Sequence, residues 1–267
     1  MENSTRYITV DTRTALEYLE EPFMYHVQLP EKIRNVKAVS INTIEIPVTY
    51  YNVCSQYYSN FFRVTEYESR KVDMIILPDN NYTSVSVVET IQDIFKFKNV
   101  DINISVNANN LIEFRSRKYY TIDFNTDIQG TLLTAGLNYK LGWLLGFRNA
   151  KYVLVRNLEA QRPCNFTRPR YLYLEIFNDE HEKTLVTSSL IDCKTSKYII
   201  ARIVTDAKNF PHGSVIPANL SNRMLLTGIR KYAEPIHIEN LKFRLSNEFG
   251  IPINLNGFDF SFCMQIE

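Results

Sequence analysis

Nine residues near the C-terminal end alternate strictly. Phe258, Phe260, Phe262, Met264 and Ile266 are apolar, and Asp259, Ser261, Cys263 and Gln265 separate them. Successive side chains of an extended strand point to opposite faces, so this period of two specifies a strand with one face in a core. Val100, Ile102, Ile104 and Val106 repeat the pattern, and Tyr120, Ile122 and Phe124 continue it. Further strands are expected over 171–177, 198–205 and 236–245. Composition points the same way, with 17 Tyr and 16 Phe against 8 Gly, since aromatic residues suit a pleated, half-buried surface.

Two long strands change phase. In 36–46 the apolar positions are Val39 and Ile41, then Ile44 and Ile46; in 236–245 they are Ile236 and Ile238, then Leu241, Phe243 and Leu245. A strand that keeps one face inward needs a bulge or bend at such a step. Strands of this kind occur where the chain passes from one sheet of a sandwich toward the other. One true helix is predicted over 84–97, where Val87, Val88, Ile91, Ile94 and Phe95 follow the 3.6 period behind Thr83, Ser84 or Ser86 as N-cap. The fold class that results is all-β, an antiparallel sandwich of the single jelly-roll kind with two short helices and long loops. Residues 1–21 are expected to form an N-terminal arm and 22–267 one domain, with loop insertions near 148–169 and 206–229.

The second helix is expected in Lys140–Asn149, KLGWLLGFRN, whose two glycines invite comparison with a phosphate loop. Such a loop needs converging amides followed by Lys-Ser/Thr or a helix N-terminus. Here the apolar run precedes the last glycine, and Phe147-Arg148 follows it. The spacing instead predicts a short helix from about Asn138 to Leu145, with Gly146 as left-handed C-cap. Leu141, Leu144, Leu145 and Phe147 then form an apolar plug. Asn256 and Gly257 stand in the turn-rich stretch before the last strand.

The formal net charge of +1 argues against a dedicated nucleic-acid binder, which replaces phosphate counterions with a basic excess. Cys54, Cys164, Cys193 and Cys263 show no CxxC pair and read as reduced thiols. The opening residues have no apolar signal region, and no run reaches membrane-spanning length. A soluble protein made in a reducing compartment is expected. His26, His181, His212 and His237 share no metal-ligand spacing, and the acidic run Asn178–Lys183 reads as a solvated hairpin tip. No catalytic residue, metal or cofactor is expected, nor a small-molecule substrate.

What remains is suited to contact. Arg115, Arg117 and Lys118, with Arg156, Arg162, Arg168 and Arg170, make the notable basic density, close to Phe114, Tyr119, Tyr120, Phe166 and Tyr171. Arginine and tyrosine are enriched in protein interfaces; stacking on single-stranded nucleic acid is the other use of such a mixture. The segment 48–62, with Tyr57 and Tyr58, is dense enough in rings to stack on sugars or on a neighbouring subunit. The candidate interface is therefore Tyr57, Tyr58, Arg115, Arg117, Arg162 and Arg168.

Six stretches then fall in a familiar order: Ile8–Arg13; Phe23–Leu29 with Pro30; Arg34–Ile41 leading to Ile44–Asn52; Leu141–Arg148; Arg170–Leu174; and Leu255–Phe262. In this order the chain resembles a family of jelly-roll minor capsid and penton-like proteins of nucleocytoplasmic large DNA viruses. The resemblance implies a virion location after assembly in the host cytoplasm, and contacts with a double-jelly-roll major capsid protein and other capsid proteins. It also implies a homo-oligomer, pentameric in the case of a penton. It brings no catalytic residues. The family's second basic residue after Asp-Ser/Thr-Arg is missing, Thr14-Ala15 standing in its place. Two rival classes are a jelly-roll carbohydrate-binding module that attaches to host glycans through 48–62, and a sandwich-fold hydrolase or lyase.

Overall fold

A computed structural model describes residues 5–15, 23–127, 129–132, 136–167, 169–177 and 198–267. Strands β1 (Arg6–Asp11) and β2 (Tyr25–Pro47) come first. Next are β3 (Phe61–Glu66), β4 (Val72–Ile76), α1 (Ser84–Phe97), β5 (Asn103–Val106), β6 (Ile112–Asp123), α2 (Leu141–Leu144) and β7 (Lys151–Glu159). The chain then adds β8 (Tyr171–Phe177), β9 (Ile199–Val204), β10 (Val215–Asn219), β11 (Leu225–Thr227), β12 (Arg230–Asn247) and β13 (Ser261–Ile266). All described strand pairings are antiparallel. The fold is all-β, with sandwich-like packing and two helices. Contacts gather the chain into two compact units: residues 1–50 with 169–267, and residues 51–168. In sequence, the second is inserted between β2 and β8 of the first.

The first unit is organised by one very long strand. Tyr25 of β2 pairs with Phe243 of β12, and Ile44 of β2 pairs with Phe262 of β13. Were β2 straight, those two positions would lie roughly 60 Å apart. The Phe243 and Phe262 rings are nevertheless 5.0 Å apart and edge-to-face. Strand β2 therefore folds back, and its halves carry opposing layers of one core. The bends occur at the phase changes. Pairing of β13 with β2 slips between Cys263 and Met264, leaving Asn42 as an extra residue between Ile41 and Thr43. Pairing of β12 with β2 slips between Ile238 and Asn240, where the apolar phase of 236–245 also shifts. Asn35 takes a left-handed φ of 59° nearby, a conformation asparagine tolerates better than most residues.

Two segments expected to lie outside the sheets contain strands. The supposed N-terminal arm contains β1, which pairs along its whole length with β13; residues 1–4 and 16–22 lie outside the described residues. Thr12 seals its end, the hydroxyl donating to Asp259 (2.9 Å) and accepting from the Phe260 amide (2.9 Å). Only Val10 of β1 is fully buried, so the alternation there is faint. The supposed loop at 206–229 contains β10 and β11. Pro217 disguises β10, yet proline is tolerated at a sheet edge, and among the described residues β10 pairs only with β2.

In the second unit β6 is the spine. Residues 112–115 pair with β5 and 120–123 with β3, while β7 pairs with both stretches. A residue has only two edges, so β3 and β5 share one side of β6 and β7 runs along the other. Helix α1 begins where its sequence says it should. Thr83 caps it, accepting from the Ser86 amide, and the Ser86 hydroxyl accepts from the Thr83 amide (2.9 Å). Its buried face is Val87, Ile91 and Phe95. These meet Phe62, Phe114, Phe124 and Phe147, whose rings lie 5.2–6.2 Å apart in an unbroken chain of contacts.

Candidate protein-interaction surface

The glycine-containing stretch is a plug for this aromatic core. Helix α2 is preceded by a 3₁₀ turn at 137–139, and Leu141, Leu144, Leu145 and Phe147 are all buried. Each glycine has its own reason. A Cβ on Gly142 would stand 2.4 Å from the Phe124 ring, and one on Gly146 would stand 1.9 Å from the Arg162 carbonyl oxygen. Gly146 also has φ +98°, which makes it the left-handed residue that ends the helix. Backbone approach to core atoms thus accounts for both glycines without a phosphate. Asn256 and Gly257 have φ of 54° and 80°, turning the chain so that the Phe258 amide donates to Leu255 O (3.1 Å). The Asn256 side chain donates to Thr49 O.

Most of the aromatic segment 48–62 faces inward. Tyr50, Tyr57, Phe61 and Phe62 are buried, so Tyr57 has no surface to offer a partner. Tyr58 is half exposed, thrown outward by a left-handed backbone at φ 52°. The Lys140 ammonium lies 5.0 Å from its ring centroid and 5.7 Å from that of Tyr139. Lys140 is 1% exposed and has no hydrogen-bond acceptor among the described residues. Burial lowers its pKa to about 8. Within the same segment, burial pushes the Cys54 thiol up to about 12, which leaves it protonated and unreactive at neutral pH.

The arginines sort differently from their order in sequence. Residues 151–159, expected within a loop, form β7, and this strand brings Arg156 beside β6. Opposite the single residue Arg156, between Asn157 and Val155, β6 has the four residues Ser116–Tyr119 between Arg115 and Tyr120. These four form a bulge. Bulges re-aim side chains, and this one projects Arg117 and Tyr119 into solvent. The Arg156 guanidinium stacks 4.1 Å above the Tyr119 ring. Tyr67 donates its amide to Tyr119 O (2.9 Å), and Arg70 stands 5.0 Å over the Tyr67 ring. Two neighbouring tyrosines therefore each carry an arginine. Lys118 beside them is held by Glu66 at 2.8 Å.

Arg115 is engaged otherwise, bound to Glu113 at 2.6 Å. With Asn157 and Glu159 it borders a surface pocket of about 370 Å³, lined also by Phe114 and Leu158. Glu113 and Glu159 face each other across the ladder. The Asn107 amide donates to both, at 3.0 Å each. Hydrogen bonding by Asn107, then by Arg115, holds the Glu113 carboxyl below its ordinary pKa. Arg162 is exposed and its chain passes behind Gly146, away from this set in sequence and pairing. Arg168, Cys193 and the run Asn178–Lys183 lie outside the described residues. Sequence reading missed Tyr67 and Arg70, because what joins them to Tyr119 is strand register.

No family model matches the sequence, and no curated protein matches it. Among solved structures, the crystal structure of selenomethionine-labelled mavirus penton protein aligns over 99% of this chain and 99% of its own, with 8% identity and a TM-score of 0.48. At that distance the likeness is one of fold at most and assigns no residue a role. Among the described residues no helix is long and apolar enough to cross a membrane, and no group of three or more His, Cys, Asp or Glu side chains is placed to hold a metal ion.

Proposed function

We propose that this chain is a structural virion protein, a penton or minor capsid subunit of a large icosahedral DNA virus. It works through contacts with further copies of itself and with a major capsid protein. The observation that carries the reading is the kind of chemistry mounted on its rigid sheets. Arg156 and Arg70 stack on the exposed Tyr119 and Tyr67, and arginine and tyrosine are the residues that dominate protein interfaces. The six-stretch resemblance supports the capsid context. Two of those stretches form the plug at 141–148 and the turn leading into β13, both of which serve a scaffold.

The glycan-binding alternative loses most of its platform, since of its rings Tyr50, Tyr57, Phe61 and Phe62 are in the interior. Quantitative mass spectrometry of purified particles tests the proposal. The protein is expected in the particle at a fixed ratio to the major capsid protein, near five copies per vertex for a penton. Its absence from particles would overturn the proposal.

A further inference from the structure

We propose that the outer face of the β6–β7 ladder is a self-complementary contact, through which two copies of this chain pair about a two-fold axis. The inference rests on the self-association proposed above, in its minor-capsid form, since a two-fold contact does not close a five-fold ring. Charge changes sign along this face within three residues of β7. At one end, Glu159 and Glu113 wall the pocket; at the other, Arg156 stands on Tyr119.

Each end keeps charge that the described residues leave unpaired. Like charges directly opposite on neighbouring strands repel, and only Asn107 and Arg115 temper this pair. Glu159 is exposed and has no ion pair among the described residues. Arg70, Arg117 and Arg156 are exposed, and none makes a hydrogen bond or ion pair among the described residues. A guanidinium stacked on a ring is already oriented, and its in-plane N–H groups remain free for a carboxylate. The lysines on and beside the ladder are neutralised locally, Lys118 by Glu66, Lys71 by Asp73 and Lys151 by Asp123. Glu68 is the one exposed acid in the turn that carries Arg70.

An acidic partner protein would engage the arginines and leave the pocket empty. A second copy fills both. Turned about an axis near Arg115 and Asn157, it sets its own arginine on this chain's glutamates while its glutamates receive Arg156, so every contact is made twice. Exposed Val153 and Leu154 on β7, at 60% and 46%, add apolar area beside the charges.

Sedimentation velocity over a concentration series tests this with Arg156→Glu, Glu159→Arg and their equimolar mixture. Wild type is expected to dimerise, and each variant alone to do so at least about tenfold more weakly, because like charges then meet twice. The mixture is expected to recover the wild-type affinity, since each substituted position 156 then meets a substituted position 159 of opposite sign. Unchanged far-UV dichroism and Trp143 fluorescence establish that the variants are folded. A wild type that stays monomeric to about 100 μM overturns the inference, as does a mixture no better than its components. Variants that associate as well as wild type place self-association on another face and leave the capsid proposal standing; that proposal falls only with absence from particles.

Discussion

The two compact units of this chain solve the same problem with different interiors. In the unit of residues 51–168 the centre is a run of phenylalanine rings, Phe62, Phe95, Phe114, Phe124 and Phe147, joined by Tyr152. The other unit also has aromatic contacts, but it buries charge among its long strands. Glu175 is fully buried on β8, paired with Arg244 at 2.9 Å and accepting from the Ser246 hydroxyl at 2.5 Å. Arg230 is equally buried and donates to Ile176 O (3.0 Å) and Tyr198 O (2.8 Å), tying β8 and β9 together just past their last paired residues. The difference follows from strand length. A short inserted sheet can be filled by side chains from a helix and a plug. The 18-residue β12 instead carries Arg230 to the end of the β8–β9 ladder, where the Ile176 and Tyr198 carbonyls take donors from its side chain.

The largest effect that would test this contrast is loss of a ring from the aromatic run. Phe147 is fully buried and stacks on Phe114 and Phe124 at 5.4 and 5.2 Å. Phe147→Ala removes those contacts and leaves a cavity, at an expected cost of about 3–5 kcal/mol. Trp143, the one tryptophan of the chain, lies in α2 of the same unit, so its fluorescence reports there directly. Urea titration should show the Trp143 midpoint falling sharply. An unchanged midpoint would mean that the rings contribute far less than their burial indicates.

How much of this was legible in the sequence depended on whether one local rule governed an element. Helix α1 was legible to the residue, because period, cap and burial agree over 84–97. The bends of β2 and β12 were legible as phase changes, since a bulge shifts the alternation it interrupts. Strand β7 was not. Leu154 sits at φ 54°, and Leu154 and Arg156 are exposed between the fully buried Tyr152 and Leu158, so the alternation expected of a strand is broken. The surface was partly visible: Arg117, Tyr119 and Arg156 were noticed as a basic and aromatic density. Their grouping with Tyr67 and Arg70, and the burial of Tyr57, depend on register and side-chain direction, which residue type does not encode.

The second effect sharpens the charged side of the contrast. Glu175→Ala leaves Arg244 without its carboxylate and Ser246 without its acceptor. Breaking a buried pair from one side costs about 3 kcal/mol or more, whereas replacing both partners by apolar groups of similar volume is often close to neutral. Glu175→Leu combined with Arg244→Met is therefore expected to recover most of the loss. The Glu175→Ala transition should move more by far-UV dichroism than by Trp143 fluorescence, because the lesion and the tryptophan are in different units. Equal shifts by both probes would show that the units melt as one, and a double variant no better than the single would show that the pair itself holds β8 to β12.

The smallest effect concerns Lys140, a buried cation, and its sign is opposite. Lys140 has two tyrosine rings at 5.0 and 5.7 Å but no carboxylate partner among the described residues. Burial brings its pKa from the ordinary 10.5 to about 8. Below pH 8 the amine is protonated in both folded and unfolded chains, and the folded state bears the full desolvation cost. Between pH 8 and 10.5 the folded protein releases the proton while the unfolded chain retains it. The unfolded state then binds more protons, so stability rises with pH across that window. Lys140→Met, which keeps the length and removes the charge, should stabilise the protein by about 1 kcal/mol at pH 7, the ring contacts offsetting part of the burial cost. That advantage should shrink toward nothing by pH 10.5. Urea midpoints of the two proteins measured at pH 7, 8.5 and 10 would show the curves converging. Parallel curves would mean that Lys140 keeps its proton throughout, with the Tyr58 and Tyr139 faces serving as its counter-charge.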